Sequence, residues 1–320
     1  MKKNLKSTFL FIIIFTFLLV GCIKDTSIEE ITLPVGYIPS VQFAPFYVGI
    51  ANGYYEEQGL SVEMKYGYEI DGVSLVGSGE YKFAVASGEQ VVLARDKGLP
   101  ITYVMNWYKE YPVGIAALAE SGITSLSDLS DKVVGIPALQ GASYIAYKGF
   151  ENTGEFIPES VDLQVVGFNQ AEMLSQGDID AGVVYIANTP VVLADQEYDV
   201  VTFPISEYVS LIGNGIIAND KFIEQNPDLV EKFIEATLKS IEYASENPDE
   251  TYEICKEFVP NLDEDTVQYQ VLITSIPFWT INGGFSDPDA WAQTNSLVQS
   301  LGLLENDIET DDLYTNDFVK

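Results

Sequence analysis

The sequence predicts an α/β protein of two lobes, each a mostly parallel sheet flanked by helices, with a helical C-terminal third. Three observations carry that prediction. From about residue 31 to residue 203, short apolar runs alternate with amphipathic stretches, the rhythm of strands joined by helical crossovers. The alternation comes in two sets, parted near residue 119, and beyond residue 219 it gives way to helical patterns. A chain of 320 residues with 47% hydrophobic content also exceeds the roughly 250–300 residues at which a single core stops growing.

The elements follow in order. Lys2, Lys3 and Lys6 precede an apolar run over residues 9–20 that closes on Leu19-Val20-Gly21-Cys22. That run is shorter than the roughly 20 residues needed to cross a bilayer, so residues 1–21 read as a signal peptide. A cysteine directly after a small residue resembles a lipobox, which implies that Cys22 is diacylated and becomes the mature N-terminus. Residues 22–30 are then a lipid-anchored polar tether, and the competing reading is an uncleaved anchor. Strands are expected over 31–37, 60–66, 83–87 and 101–107, with helices over 45–58, 72–79 and 89–97 between them. The second set runs through a short helix at 126–129, strand 133–137, helix 142–150, strand 163–168, helix 170–176, strand 181–185, helix 189–194 and strand 200–203. The chain is expected to cross between lobes near 113–119 and 209–218, so residues 31–115 with 216–320 form lobe 1 and residues 116–215 lobe 2. Asn226-Pro227-Asp228 and Asn247-Pro248-Asp249 open helices as N-cap, first-turn proline and first-turn acid. Further helices are expected over 264–275 and 288–301.

Composition excludes several function classes. The chain has no histidine, which removes Ser-His-Asp and Cys-His nucleophilic pairs and the usual zinc sites. With Cys22 lipidated, Cys255 has no disulfide partner and reads as a buried, inert thiol. No acidic run has the spacing of a calcium loop, so neither metal nor cofactor is expected. Forty-eight acids against 16 bases give a net charge of −32, and loss of the leader strips lysines only. Such a surface repels nucleic acid and anionic lipid. Arg95 is the sole arginine, against 19 tyrosines and 17 phenylalanines. Anion sites favour arginine, lysine or convergent backbone donors, whereas a planar heteroaromatic ring needs aromatic faces and a few polar groups.

Open α/β sheets bind ligands at their strand ends, which selects the candidates. Gln42 and Phe43 follow strand one; Gln42 both donates and accepts, against a turn glutamine in water, and Phe43 is equally a core residue. Ser87 and Glu89 follow strand three, against a helix cap in which Ser87 is the N-cap and Gln90 its third-position partner. Trp107 and Tyr108 offer stacking faces, against hinge packing. Gln140, Ser143 and Tyr144 open a helix of the second lobe, where free backbone N–H groups hold a polar ligand atom. Tyr185 ends a strand there, and Asn214 and Trp279 are weaker candidates. Gly213 and Gly215 suit a hinge.

Several runs together carry a resemblance. They are Gly36-Tyr37-Ile38-Pro39 with Gln42-Phe43-Ala44-Pro45-Phe46-Tyr47-Val48; residues 53–63 from Gly53-Tyr54-Tyr55; Asp71-Gly72; Ser87-Gly88-Glu89-Gln90; residues 129–137; and Gly177-Asp178-Ile179-Asp180-Ala181. In this order they resemble type II periplasmic binding proteins of the branch serving thiamine-pyrimidine precursors, riboflavin and alkanesulfonates. The run from Gly36 to Tyr47 with Ser87-Gly88-Glu89-Gln90 is most similar to the riboflavin-binding lipoproteins. The resemblance implies a monomeric, non-catalytic binding lipoprotein on the outer face of the cytoplasmic membrane. It implies riboflavin as ligand, an ABC permease and its ATPase as partners, and no nucleic acid. The alternatives are a thiamine-pyrimidine precursor, an alkanesulfonate or nitrate, a lipoprotein sensor, and the pyrimidine synthase of the same fold. That synthase type relies on a cysteine-rich motif and a histidine, both missing here.

Overall fold

The structure, a computed structural model, describes residues 28–264, 267–280 and 283–319. The leader and Cys22 lie outside the described residues. Strands β1 (Glu29–Val35) and β2 (Leu60–Tyr66) pair in parallel. Every second residue of β2 is exposed in its first half, as expected of a strand with one wet face. β1 lies beside β3 (Phe83–Ser87). The order in that second sheet is β3, β10 (Asn214–Asn219), β4 (Ile101–Asn106), with β10 antiparallel to both neighbours. The third sheet has five strands in the order β7 (Asp162–Val165), β6 (Val133–Ile136), β8 (Ala181–Tyr185), β5 (Val113–Leu118), β9 (Val200–Pro204). There β6 runs parallel to β7 and β8, while β5 runs antiparallel to β8 and β9.

The first segment expected to carry a crossing, 113–119, is therefore almost wholly strand, and the second, 209–218, is a link over 209–213 that runs into β10. Val113–Leu118 contains no polar side chain and is buried throughout, so it is most stable between two neighbouring strands. Asn214–Asn219 does the same between β3 and β4. The links between the sheets are residues 107–112 and 205–213. Gly215 is not a swivel: a Cβ there would lie 2.0 Å from Tyr103 Oη and 2.2 Å from the Met105 carbonyl oxygen.

The predicted helix over 45–58 is two, α1 (Ala44–Ala51) and α2 (Tyr54–Glu57), parted at Gly53, whose φ of 71° is left-handed. Then follow α3 (Glu69–Gly77), α4 (Gly88–Asp96), α5 (Gly141–Thr153), α6 (Gln170–Gln176) and α7 (Thr189–Asp195). The C-terminal third holds α8 (Asp220–Gln225), α9 (Pro227–Glu246), α10 (Pro248–Cys255), α11 (Val267–Ser275) and α12 (Pro288–Ser300). α9 buries Val230, Phe233, Ile234, Thr237, Ile241 and Ala244, a stripe of period 3.6. Asn226 and Asn247 do not cap as expected. Their side-chain amides donate backward, to the carbonyls of Phe222 (3.4 Å) and Tyr243 (3.0 Å), closing the preceding helix. One apolar core joins β1–β4 and β10 to α1, α9 and α11, and another fills the space between the five-stranded sheet and α5. Cys255 is fully buried, and burial pushes its thiol up to about 12, as an inert thiol requires.

Candidate functional site

The C-terminal ends of the parallel strands converge on a cleft holding about 1050 Å³ of empty space, part of it open to solvent. Gly36 and Tyr37 after β1, and Gln42 and Phe43 in the next turn, form one edge. Tyr68, Glu69 and Ile70 after β2 and Trp107 and Tyr108 after β4 continue it. The opposite edge carries Pro137, Ala138 and Gln140–Ser143 after β6, Phe168 and Gln170 after β7, and Val183–Tyr185 with Asn188 and Thr189 from β8 and the start of α7. Among the described lining residues there is no lysine and no arginine.

Of the residues expected at the site, Gln42, Phe43, Trp107, Tyr108, Gln140, Ser143, Tyr185 and Asn214 line this cleft. Gln42 is not ambivalent. Its Oε1 accepts from Asn188 Nδ2 at 3.0 Å, and its buried Nε2 lies beside the Tyr108 hydroxyl without a hydrogen bond of ordinary geometry. Gln42 therefore faces the cleft as a donor. Trp107 Nε1 is likewise buried and unpartnered. The indole packs against Phe43 at 5.9 Å, Phe46 at 4.9 Å and Tyr108 at 4.6 Å between ring centres, which fixes its plane. Asn214 ties the edges together: its carbonyl accepts from Trp107 N (3.1 Å) and Tyr108 N (2.8 Å), and its Oδ1 accepts from Tyr185 Oη (3.1 Å). Burial is the main cause raising Tyr108 and Tyr185 above the ordinary phenol range, so both stay neutral donors. Gln140 immediately precedes α5, and Gly141, Ala142 and Ser143 begin it, so the first turn of α5 lines the cleft.

Four expected residues stand elsewhere. Trp279 is buried behind the wall in a β-bridge to Tyr108, and supports Trp107 and Tyr108 from the rear. Tyr144 turns one helical step away from Ser143 and packs with the core of the five-stranded sheet, under Lys148. Ser87 and Glu89 are buried one layer below the cleft. Ser87 holds the N-cap position of α4, but its side chain makes no capping bond. Its hydroxyl lies 2.5 Å from Glu69 Oε1 and 2.5 Å from Glu89 Oε1.

Sequence reasoning missed Tyr37, Tyr68, Glu69, Phe168, Gln170 and Asn188. Tyr37 and Phe168 meet edge to face across the cleft at 4.8 Å, and Tyr68 and Phe168 remain 52% and 40% exposed, open faces at the mouth. Both Tyr37 and Phe168 end predicted strands, so the strand-end rule contained the signal. Glu69 carried none, because an acid at a helix start reads as macrodipole compensation.

The pattern of the family described as NMT1/THI5 like matches residues 40–251. The chain is 32% identical to a riboflavin-binding protein of Chloroflexus aurantiacus over 92% of its own length and 87% of the relative's. It is 27% identical to a formylaminopyrimidine-binding protein of Halalkalibacterium halodurans, covering 91% of each chain. It is also 27% identical to a 4-amino-5-hydroxymethyl-2-methylpyrimidine phosphate synthase of Legionella pneumophila, over 91% of this chain and 92% of the other. Among solved structures, the periplasmic aliphatic sulphonate binding protein of Escherichia coli superposes with a TM-score of 0.70 at 11% identity, covering 89% of this chain and 91% of that one. The last likeness establishes the periplasmic-binding-protein fold. A match across two thirds of the sequence, joined to a 32% relative spanning nearly all of it, places this chain in the NMT1/THI5-like family.

Proposed function

We propose that this protein is an extracytoplasmic solute-binding lipoprotein that captures a planar heteroaromatic ligand, riboflavin first, and delivers it unchanged to an ABC importer. One observation carries the reading: aromatic rings line both edges of a cleft that has no cationic residue among its described lining. Aromatic faces and a few donors suit a flat ring system with polar edges. Gln42 Nε2 and Trp107 Nε1 offer donors to ring carbonyls or nitrogens, and Asn188 and Gln170 add amides. The riboflavin-binding relative supports this ligand over the others. The two lobes, parted at the links over residues 107–112 and 205–213 rather than at 115 and 215, close on the ligand, which stabilises the closed form by its differential affinity for it. The diacylated Cys22 holds the protein at the outer membrane face beside the permease.

A thiamine-pyrimidine precursor is the second reading, favoured by the amide cluster of Gln42 and Asn188 and by the formylaminopyrimidine-binding relative. A sulfonate suits this cleft poorly, because no described lining residue is cationic. A synthase suits it poorly too, because a chain without histidine lacks the commonest proton-transfer side chain. Fluorescence titration with riboflavin tests the proposal. Micromolar or tighter binding, with the vitamin recovered chemically intact, is the expected result; no binding below millimolar concentration refutes it. Trp107→Ala should weaken riboflavin about tenfold, the loss of ~1.4 kcal/mol of ring contact, and unchanged affinity removes Trp107 from the site.

A further inference from the structure

Behind the aromatic wall, two carboxyls meet over one hydroxyl. Ser87 Oγ is 2.5 Å from both Glu69 Oε1 and Glu89 Oε1, and Ser87 N–H donates to the same Glu69 oxygen at 2.5 Å. A serine hydroxyl owns a single hydrogen. It donates to one carboxylate, and the other contact closes only when that carboxyl brings a proton of its own. Glu89 is fully buried and its Oε2 has no partner, while Glu69 is half-buried and lines the cleft.

The surroundings supply no compensating charge. None of the ion pairs among the described residues includes Glu69 or Glu89. The titratable groups that face the pair are Tyr103 from β4, Tyr111 from the link over residues 107–112, and Tyr185 from β8, with the Gln90 amide beside Glu89. Burial holds all three phenols neutral. Burial and then the neighbouring Glu89 raise Glu69 above the ordinary carboxyl range, and burial raises Glu89. The pair titrates as a unit.

We propose that Glu69, Ser87 and Glu89 hold one proton between two carboxyls, making Glu69 the residue that sets ligand charge. The cleft accepts a neutral ring, and draws a proton from solvent when such a ring covers Glu69 without donating to it at alkaline pH. The ligand half of this inference rests on the function proposed above; the shared proton belongs to the free protein. A neutral ring strips water from Glu69, and the doubly ionised pair loses more hydration than the singly ionised one. Affinity then falls as pH rises through the pair's titration, by up to about tenfold per pH unit for one proton. A cationic ligand reverses the sign and releases the proton.

Two measurements on the purified full chain test this. First, carbon-13 NMR of labelled glutamate carboxyls in the free protein should show one titration well above the ordinary glutamate range, lowered but not abolished by Glu69→Gln and by Glu89→Gln, since the remaining acid keeps its burial and loses its charged neighbour. A wild-type protein in which every glutamate titrates normally overturns the shared proton, as does a high titration that neither substitution moves. Second, calorimetry of riboflavin binding at pH 8 in buffers of differing ionisation enthalpy should show proton uptake, lost in Glu69→Gln. Zero uptake or release overturns the charge selection. If riboflavin does not bind while the high titration is present, the ligand assignment and its coupling fall and the shared proton stands.

Discussion

Ser87 shows how a single hydroxyl can organise a site it does not line. Sequence logic offers it as ligand contact or helix cap; packing leaves it at the N-cap position but gives its hydroxyl to two acids, Glu69 at the start of α3 and Glu89 in α4. A carboxyl raised by its fold contributes stability that is complete below the ordinary glutamate value and is lost as pH rises through the raised one. Urea midpoints should therefore decline between about pH 5 and pH 9, and decline less in Glu89→Gln; equal slopes remove the pair from the stability profile. Gly215 makes a second residue-level prediction. Alanine there puts a methyl carbon 2.0 Å from Tyr103 Oη and 2.2 Å from the Met105 carbonyl oxygen, so Gly215→Ala should cost at least ~2 kcal/mol by overpacking, read as a lower urea midpoint. Tyr103→Phe in the same chain should recover part of that loss. The sequence marks Gly215 as unusual but names no neighbour, since Tyr103 reaches it only through the β4–β10 pairing.

At the scale of elements, both Asn-Pro-Asp signatures open helices where the sequence places them, and proline and acid serve as expected. The asparagines do not, because a helix ends immediately before each of them. With carbonyls left open at that end, each side-chain amide has a partner behind it and turns there. Asn247→Ala should cost about 1 kcal/mol, measured by chemical denaturation, and Asn247→Asp, which keeps the cap acceptor but loses the donor, should recover nothing. Strands β5 and β10 carry the complementary lesson. Their apolar runs are legible as buried, yet a buried run reads alike as strand or connection until its neighbours are known. Across the cleft, Asn188 at the mouth of α7 holds Gln42 of the opposite edge. Asn188→Ala frees Gln42 to rotate and should weaken riboflavin several-fold, by titration, with little change in the melting temperature.

For the molecule as a whole, 48 acids against 16 bases make self-repulsion a standing cost that salt screens. The melting temperature should rise between 0.05 and 0.5 M sodium chloride (about 14 to 4 Å of screening length), and a flat response would show the charges already balanced locally. Ligand should act on the same observable: riboflavin at one hundred times its Kd should add about 2.7 kcal/mol to the unfolding free energy. The alternating pattern, the lack of histidine, the single arginine and the proline-led C-terminal helices determine by themselves an α/β fold with a helical last third and an acidic, base-poor surface. Those features are local or compositional, and period and charge survive without coordinates. Tertiary structure alone decided which strand-end residues face one another, that Gln42 is held as a donor by Asn188, that Trp279 stands behind the wall, and that Glu69 and Glu89 share Ser87. Each of those facts is a contact between segments far apart in the chain or a choice between two faces of one element. Linear spacing carries no record of either, because the energy that selects them arises only when the sheets pack.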